Sequence, residues 1–224
     1  MTSTVDERII AFDPDTQRAL TRYIRDQFAP EDDALVAVRR TAVAQGLPEI
    51  SIRPEEGQIL QFLAALIGAR RILEIGTLAG YSGIWLARGL PTGGRLVTLE
   101  LDPKHARIAS EHFRLAGVAD RVEIVEGEAQ RALARLDGGA PFDMVFIDAD
   151  KEGYPAYLAW ALRNVRPGGL ITAHNAFRGG KLLDNGSDEG GRATLNMLAT
   201  LASHERLTGT IIPVGDGIAA ALVK

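Results

Sequence analysis

The stretch RILEIGTLAGYS at residues 71–82 decides the fold of this 224-residue chain. Its apolar run at 72–75 predicts a buried strand that ends at Gly76, and the residues after Gly80 predict the start of a helix. A strand, a glycine turn and a helix N-terminus present free backbone N–H groups, and glycine lets a ligand approach the backbone closely. The stretch therefore predicts a site for a nucleotide-like ligand, although a plain connecting turn would look similar in isolation.

Strand and helix patterns alternate along the rest of the chain. The apolar runs that predict parallel strands lie at residues 72–75, 95–100, 122–126, 143–148 and 169–174. The helical patterns between the later strands lie at residues 103–116, 128–136 and 154–164. Two more apolar runs, at 207–212 and 218–223, flank a Pro-Val-Gly-Asp-Gly turn and predict a closing antiparallel hairpin. This alternation predicts a doubly wound α/β fold with a mostly parallel sheet and helices on both faces.

Two other parts of the chain carry no evident chemistry. Helical spacing at residues 15–28, 32–45 and 54–67 predicts three N-terminal helices that cover a site, pack beside the sheet or form a subunit contact. Residues 178–192 contain a Gly-Gly-Lys without the spacing of a phosphate-binding loop. We expect this glycine-dense segment to be a mobile surface loop.

Composition limits the classes of function. With 46% hydrophobic residues the chain can bury one substantial core, so a single domain over residues 1–224 is expected. The net charge of −4 gives no reason to expect a nucleic-acid partner. The absence of cysteine excludes disulfides and thiolate chemistry. The first residues, MTSTVDERIIAF, lack an export pattern, and no apolar run is long enough to cross a bilayer, so we expect a cytoplasmic protein with no membrane partner.

Acidic residues stand near the ends of the predicted strands, where open α/β sheets bind ligands. They are, in chain order, Glu74, Glu100, Glu128 and Asp148. A carboxylate such as Glu100 can accept hydrogen bonds from both hydroxyls of a ribose. The two glycines of the first turn stand four residues apart, a wider turn than the G-x-G-x-x-G of dinucleotide sites. The spacing therefore disfavours NAD.

Five motifs together resemble one enzyme family. They read E-I-G-T-x-x-G-Y-S from residue 74, L-E-L-D-P from 99, F-I-D-A-D-K from 146, G-G-x-I from 168 and P-V-G-D-G from 213. In combination they are similar to the class I S-adenosylmethionine-dependent methyltransferases, and within these to the catechol and caffeoyl-coenzyme A O-methyltransferases. The resemblance implies a seven-stranded sheet of order 3-2-1-4-5-7-6 with the last strand antiparallel. It also implies a Rossmann-like cofactor-binding core over residues 53–224 and a helical lid or dimer segment over 1–52.

The resemblance implies roles for the residues at matching positions. Those that would hold S-adenosylmethionine are Glu74, Gly76, Thr77, Tyr81, Ser82, Glu100, Leu101, Glu128, Ala129, Asp148 and Tyr157. Within this set, Glu100 would bind the ribose and Ala129 with its neighbours the adenine. Asp148 would also bind a divalent metal ion, and Lys151 would be the general base.

These implied roles agree with what methyl transfer to a hydroxyl requires. The displacement needs an anionic oxygen held near the methyl group in a water-poor site. A divalent cation chelated by two adjacent hydroxyls lowers the pKa of one of them and fixes its position. Lys151, a few residues beyond Asp148, is placed to take the proton. From their loop positions, the residues expected to wall the acceptor pocket are Tyr154, Tyr157, Phe177 and Arg178.

One position departs from the family pattern. The family ends its fifth strand in Asp-Asn, both metal ligands, whereas this chain has His174 and Asn175. Imidazole in place of carboxylate removes a negative charge and a hard oxygen, so Mg²⁺ and Ca²⁺ should bind more weakly. Three outcomes stay open. A transition metal is preferred, or Mg²⁺ still binds with the help of Asp148, Asn175 and the substrate, or the site lacks a metal and uses Lys151 and His174 as acid–base groups.

The sequence thus predicts an S-adenosylmethionine-dependent O-methyltransferase that acts on a small phenol with vicinal hydroxyls. A homodimer is expected from the resemblance alone. Two other classes stay open: a nicotinamide-dependent oxidoreductase, which the glycine spacing disfavours, and a non-catalytic S-adenosylmethionine-binding protein, which His174 suggests. Within the enzyme class, a metal-independent methyltransferase is the nearest competitor.

Overall fold

The computed structural model describes residues 12–184 and 188–224 of the chain. Its helices are α1 (Pro14–Phe28), α2 (Asp33–Ala44), α3 (Pro54–Leu66), α4 (Tyr81–Gly89), α5 (Pro103–Leu115), α6 (Ala129–Leu136), α7 (Tyr154–Asn164) and α8 (Glu189–Ser203). Its strands are β1 (Arg71–Ile75), β2 (Arg95–Glu100), β3 (Val122–Glu126), β4 (Phe142–Ile147), β5 (Val165–Ala173), β6 (Leu207–Ile212) and β7 (Ile218–Val223). Residues 1–11, which make up most of the N-terminal stretch without an export pattern, lie outside the described residues.

The strands form one sheet in the order β3-β2-β1-β4-β5-β7-β6. β1 pairs in parallel with β2 on one side and with β4 on the other. β7 runs antiparallel to both β5 and β6. The predicted doubly wound fold, its strand order and its antiparallel last strand are therefore confirmed. Because the strand order reverses at β1, the carboxyl ends of β1 and β4 flank the crevice in which such sheets bind ligands.

The central strand β1 is apolar because helices cover both faces of the sheet. Ile72 belongs to the core on one face, together with Ile84 of α4. Leu73 belongs to the core on the other face, together with Trp160 of α7 and Met197 of α8. Consecutive side chains of a strand point to opposite faces, so one short run supplies both cores.

Of the three N-terminal helices, α2 and α3 contribute buried residues to the core, whereas α1 is held differently. It has no buried residue, and an ion pair of 3.1 Å between Arg25 and Glu55 ties it to α3. The large apolar side chains that α1 leaves exposed are Leu20, Tyr23, Ile24 and Phe28. Within residues 12–184 and 188–224, no helix is both long and apolar enough to span a membrane.

The expectation of a mobile loop at residues 178–192 is wrong for its described part. Arg178–Asp184 forms two short 3-10 turns, and α8 begins at Glu189. The sequence pattern did not predict α8 because two consecutive glycines occupy its first turn. Gly190 is buried, and a Cβ there would approach Lys151 Cβ to 3.1 Å. Gly190 thus allows α8 to pack closely rather than marking a loop.

Candidate active site

A cavity of about 880 Å³ opens where the carboxyl ends of β1, β2 and β4 meet the segment before α3. This volume is typical of small-molecule sites. The predicted site residues that line it are Gly76, Thr77, Tyr81, Ser82, Glu100, Leu101, Glu128, Ala129, Asp148, Lys151, Tyr157 and Asn175. Two predicted site residues, Glu74 and His174, are not among its lining residues and lie buried behind it.

The turn after β1 uses glycine at two positions of positive φ. Gly76 has a φ of 101°, and a Cβ there would lie 2.1 Å from the backbone oxygen of Asp148. Gly80, with a φ of 86°, is the N-cap of α4. Residues other than glycine are strained in this backbone conformation. The close approach joins the turn to the strand end that carries Asp148, and the N–H groups at the start of α4 are suited to an anionic group of a ligand.

Glu100 shapes the other side of this turn. One carboxylate oxygen accepts hydrogen bonds from the backbone N–H groups of Thr77 at 3.2 Å and Leu78 at 2.7 Å. The other accepts from the N–H of Asp102 at 2.9 Å. His105, which the sequence pattern does not single out, also lines the cavity, with Nδ1 3.4 Å from Glu100. Glu100 therefore holds the turn in shape while it borders the cavity.

Glu74 supports the cavity from behind. Ser82 Oγ donates to one of its carboxylate oxygens at 2.5 Å, and Thr98 Oγ1 donates to the other at 2.6 Å. Burial raises the pKa of Glu74 to about 7, the two hydrogen bonds oppose this rise, and the charges of Asp148 and Glu100 add to it. Glu74 thus fixes the orientation of Ser82, which does line the cavity.

Tyr81 connects the N-terminal helices to the cavity. Its hydroxyl donates to Glu31 at 2.8 Å and accepts from Arg39 Nη2 at 3.1 Å. The Arg39 guanidinium also lies 4.7 Å from the centre of the Tyr81 ring and pairs with Glu31 at 2.7 Å. Burial raises the pKa of Tyr81 above its usual value, so the hydroxyl stays protonated. Residues from the segment around α2 therefore fix one aromatic wall of the cavity.

The opposite wall comes from the starts of α6 and α7. Glu128 is the N-cap of α6 and Ala129 its first residue. The Tyr157 hydroxyl donates to Asp150 at 2.6 Å. Burial, and then the hydrogen bond and charge of Asp150, raise the pKa of Tyr157 above its usual value. This wall combines a helix N-terminus with an aromatic ring, which suits a flat polar ligand such as a nucleobase.

Lys151 lies at the cavity in a 3-10 turn directly after β4. Its Nζ is 3.2 Å from Asp148 Oδ1 and donates to the Tyr154 hydroxyl at 2.5 Å. The Tyr154 hydroxyl donates in turn to the backbone oxygen of His174 at 3.2 Å. Burial, followed by the charges of Asp148 and other nearby groups, raises the pKa of Tyr154 well above its usual value. These contacts hold the Lys151 side chain in one position beside Asp148.

His174 lies between the buried carboxylate of Glu56 and the partly buried carboxylate of Asp148. Its Nε2 is 2.9 Å from Glu56 Oε1. Its Nδ1 is 3.3 Å from Asp148 Oδ2, yet this contact lacks hydrogen-bond geometry, and Nδ1 has no hydrogen-bond partner among the described residues. Burial lowers the pKa of His174, but Asp148 and Glu56 outweigh that effect and raise it to about 9. This point in the fold therefore favours a positive charge.

The side chains around Asp148 include donor atoms of the kinds that bind divalent metal ions. Asp148 offers a carboxylate and His174 the unpartnered Nδ1. Asn175 offers its amide oxygen, because its amide nitrogen already donates to Asp216 Oδ2 at 2.8 Å. No group of three or more His, Cys, Asp or Glu side chains suited to a metal occurs in the described parts of the chain. The third protein ligand would therefore be the amide.

Sequence reasoning missed two residues that complete this end of the cavity. Glu56, in the first turn of α3, contacts His174. Asp216 belongs to the quoted P-V-G-D-G motif, and it lines the cavity and holds Asn175. Only the pairing of β7 with β5 brings that turn to the site. Of the four residues expected to wall the acceptor pocket, Tyr157 and Arg178 line the cavity, whereas Tyr154 and Phe177 are not among its lining residues.

Comparison with known proteins gives one consistent family. A family model described as O-methyltransferase matches residues 25–224. A catechol O-methyltransferase of Niastella koreensis is 47% identical over 214 residues, which covers 92% of this chain and 97% of that protein. A catechol O-methyltransferase of Mycobacterium tuberculosis is 48% identical over 199 residues, with coverage of 87% and 90%.

Solved structures agree with this family. The O-methyltransferase from Bacillus cereus in complex with SAH has a TM-score of 0.86 and 42% identity, covering 92% of this chain and 97% of that one. The O-methyltransferase TomG from Streptomyces achromogenes in complex with SAM has a TM-score of 0.88 and 39% identity, covering 96% and 100%. The similarity thus extends over nearly the whole chain in both sequence and fold.

Proposed function

This chain belongs to the O-methyltransferase family and depends on S-adenosylmethionine, and we propose that it methylates a hydroxyl of a small catechol-type phenol. One observation carries the proposal. The glycine turn for the methyl donor and the turn that bears Lys151 line one cavity, and Gly76 touches the backbone of Asp148. A donor and an acceptor hydroxyl can therefore lie side by side. The names of the two curated relatives support a catechol as the acceptor.

We assign the cofactor to the part of the cavity around the first turn. Gly76, Thr77 and Ser82 would hold its amino-acid portion, Glu100 its ribose, and Ala129 and its neighbours the adenine. The cofactor supplies a methyl group on a sulfonium. Glu74 would act through Ser82 rather than by direct contact, because it is fully buried.

In the proposed reaction Lys151 is the general base. Its Nζ, in the amine form, takes the proton of the acceptor hydroxyl, and Asp148 stabilises the resulting ammonium from 3.2 Å. The bound cofactor would supply the methyl group, and its transfer to the phenolic oxygen would leave the electron pair of the broken carbon–sulfur bond on sulfur. Tyr154 keeps Lys151 aimed into the cavity.

We propose that Asp148, His174 and Asn175 would hold the divalent ion implied by the family. When bound, such an ion would supply a positive charge that lowers the pKa of one of two vicinal hydroxyls. Asp216 would keep the Asn175 amide oxygen free for this purpose. The two hydroxyls of a catechol, rather than a single phenol, fit a site of this kind.

A methyl-transfer assay with purified protein tests the proposed function. Catechol-type acceptors should yield a methylated product, whereas the matched meta-dihydroxybenzene and monohydroxy phenols should yield little. Calorimetry with S-adenosylmethionine and with NAD, run in parallel, separates the methyltransferase from the oxidoreductase alternative. Cofactor binding without methylation of any vicinal diol would contradict the proposal, and so would equal rates on catechols and single phenols.

We also propose a homodimer in which α1 forms part of the contact, with residues 12–52, the described part of the N-terminal segment, as a lid or dimer contact. The support is the exposed apolar side chains of α1, which a lone chain leaves in water. Light scattering should give twice the 24.1 kDa of one chain. A monomer mass at enzyme concentrations well above those of the assay would contradict this part.

A further inference from the structure

His174 has one ring nitrogen that is hydrogen-bonded and one that is not. The residue is buried, with a relative exposure of 5%, and its Nε2 lies 2.9 Å from Glu56 Oε1. Its Nδ1 lies 3.3 Å from Asp148 Oδ2 without hydrogen-bond geometry. A buried polar atom that lacks a hydrogen bond is costly, so this nitrogen, buried behind the cavity, calls for an explanation.

Glu56 determines which ring nitrogen of His174 has no hydrogen bond. The Glu56 side chain accepts hydrogen bonds from backbone donors at both of its oxygens and also contacts His174 Nε2. Its Oε2 accepts from the backbone N–H of Arg53 at 2.7 Å, and its Oε1 accepts from that of Asp216 at 2.9 Å. A carboxylate held in this way accepts a hydrogen bond from the Nε2–H of His174. Nδ1 is then the ring nitrogen left to bind a metal ion, which would displace any proton on it. Histidine ligands of metal ions are oriented by carboxylates in this manner.

The position of Glu56 is itself built into the fold. A Cβ at Gly215 would lie 2.1 Å from Glu56 Oε1, so only glycine leaves room for the carboxylate there. Glu56 is also one of the least exposed acids in the described chain, at 1%. The turn between β6 and β7 and the first turn of α3 thus close around one carboxylate that contacts His174.

The spacing of the two facing donors suits a shared ion. Two donors that each lie about 2.1 Å from one ion stand about 3.0 to 3.4 Å apart when they are neighbours in its coordination. The Nδ1 of His174 and Oδ2 of Asp148 are 3.3 Å apart. Asn175 adds an amide oxygen at the same end of the cavity.

We propose that Glu56 is a positioning residue that directs His174 Nδ1 toward the divalent ion, so that this site takes an imidazole-binding transition metal such as Co²⁺, Ni²⁺ or Zn²⁺ in preference to Mg²⁺. Nitrogen donors favour these ions, whereas Mg²⁺ prefers carboxylate and water oxygens. The inference deepens the proposed function, because the presence of the ion rests on it. The choice of ion rests on His174 and Glu56.

Metal binding to the full chain, stripped with a chelator, tests the inference without any acceptor. Titration with Co²⁺, followed by visible absorption, should give bands of a nitrogen- and oxygen-bound ion, and an excess of Mg²⁺ of about 100-fold or more should be needed to displace it. A wild-type protein that binds Co²⁺ and Mg²⁺ equally well, or that binds no Co²⁺, would overturn the inference.

Two variants separate the role of His174 from that of Glu56. His174→Asp should weaken Co²⁺ binding by about 10-fold or more and strengthen Mg²⁺ binding, because it restores an oxygen donor. Glu56→Gln should weaken Co²⁺ binding by about 10- to 100-fold while His174 stays in place. The matched control is Glu55→Gln, since Glu55 is equally buried on the same helix but pairs with Arg25. Equal loss in the Glu55 and Glu56 variants would contradict the positioning role.

A measurement on the wild type keeps the test decisive even if a variant fails to fold. In ¹⁵N NMR of the imidazoles, Zn²⁺ should shift the Nδ1 signal of His174 and leave that of Nε2 nearly unchanged. A shift of neither nitrogen would mean that the ring only bridges Glu56 and Asp148, which would overturn the inference. Because these readouts need no acceptor, metal selectivity as expected with no methylation of catechols would count against the proposed function alone.

Discussion

The two ends of the cavity are built in different ways. The end proposed to hold the cofactor, around Gly76 and Glu100, uses one glycine turn, the next strand end and mainly backbone geometry, as in the contacts of Glu100 with the N–H groups of Thr77 and Leu78. The end proposed to hold the metal ion, around Asp148 and His174, uses side chains that are far apart in the chain. Glu56 reaches His174 across 118 residues and Asp216 across 160.

This difference separates the features that a local sequence motif sets from those that depend on side chains distant in the chain. Backbone geometry is set by a short local motif, so it is shared wherever the motif occurs. A cluster of side chains can change its chemistry by one substitution while the fold stays the same. His174, at a position where the resemblance to the family implies an aspartate, would be such a change. Three experiments on the two ends, in order of decreasing effect, test this contrast.

Loss of Lys151 should give the largest effect and should leave the cofactor end intact. Lys151→Ala is expected to lower kcat by about 10²- to 10⁴-fold, because a positioned base is lost. The affinity for S-adenosylmethionine, measured by calorimetry, should change little. Lys104→Ala, which alters a lysine on the surface of α5, is the control and should keep full kcat. A variant at Lys151 with near-normal kcat would contradict the assignment of the base.

Gly76→Ala should disrupt both ends of the cavity, because Gly76 lies against the Asp148 backbone where the two ends meet. The added Cβ would meet the Asp148 backbone oxygen at 2.1 Å, and the positive φ adds strain. We expect a loss in the free energy of unfolding of about 3 kcal/mol or more, measured in urea.

The matched control for this substitution is Gly117→Ala. Gly117 also has a positive φ, of 67°, but an added Cβ meets nothing within 4 Å. It should cost only about 1 kcal/mol, from backbone strain alone. Equal losses in the two variants would show that the contact between the turn and Asp148 contributes nothing to stability.

Glu74→Gln should change how stability depends on pH. Burial raises the pKa of Glu74 from 4.5 to about 7 in the fold, so between these values the folded chain binds more protons than the unfolded chain. Stability contributed by this group therefore falls as pH rises from 5 to 8, by about 2 kcal/mol. Gln cannot ionise, so the variant should lose that part of the slope.

Unfolding in urea across this pH range measures the slope directly. Any constant loss from weakened hydrogen bonds to Ser82 and Thr98 shifts the whole curve and leaves its slope unaffected. Glu123→Gln, at an exposed position of β3, is the control and should follow the wild type. Parallel curves for the Glu74 variant and the wild type would contradict the raised pKa.

The sequence by itself determined the fold and the cofactor end. The stretch at 71–82, with the strand and helix periods that follow, indicated the order of the elements. The family resemblance that the motifs carry implied the strand order and about half of the residues that line the cavity. These features are local, since strand and helix patterns and glycine turns depend on neighbours in the chain. The helix α8 was missed for a related reason: its two glycines resemble a loop until the packing against Lys151 is known.

Only the tertiary structure decided the surroundings of His174. The motif placed it beside Asp148, but nothing in the sequence links it to Glu56 in α3 or links Asn175 to Asp216 in the last hairpin. These contacts form because α3 packs beside the sheet and β7 inserts next to β5. The charge of a buried imidazole, and the nitrogen it leaves free, depend on the groups that the fold brings within a few ångströms rather than on the residues next to it in the chain.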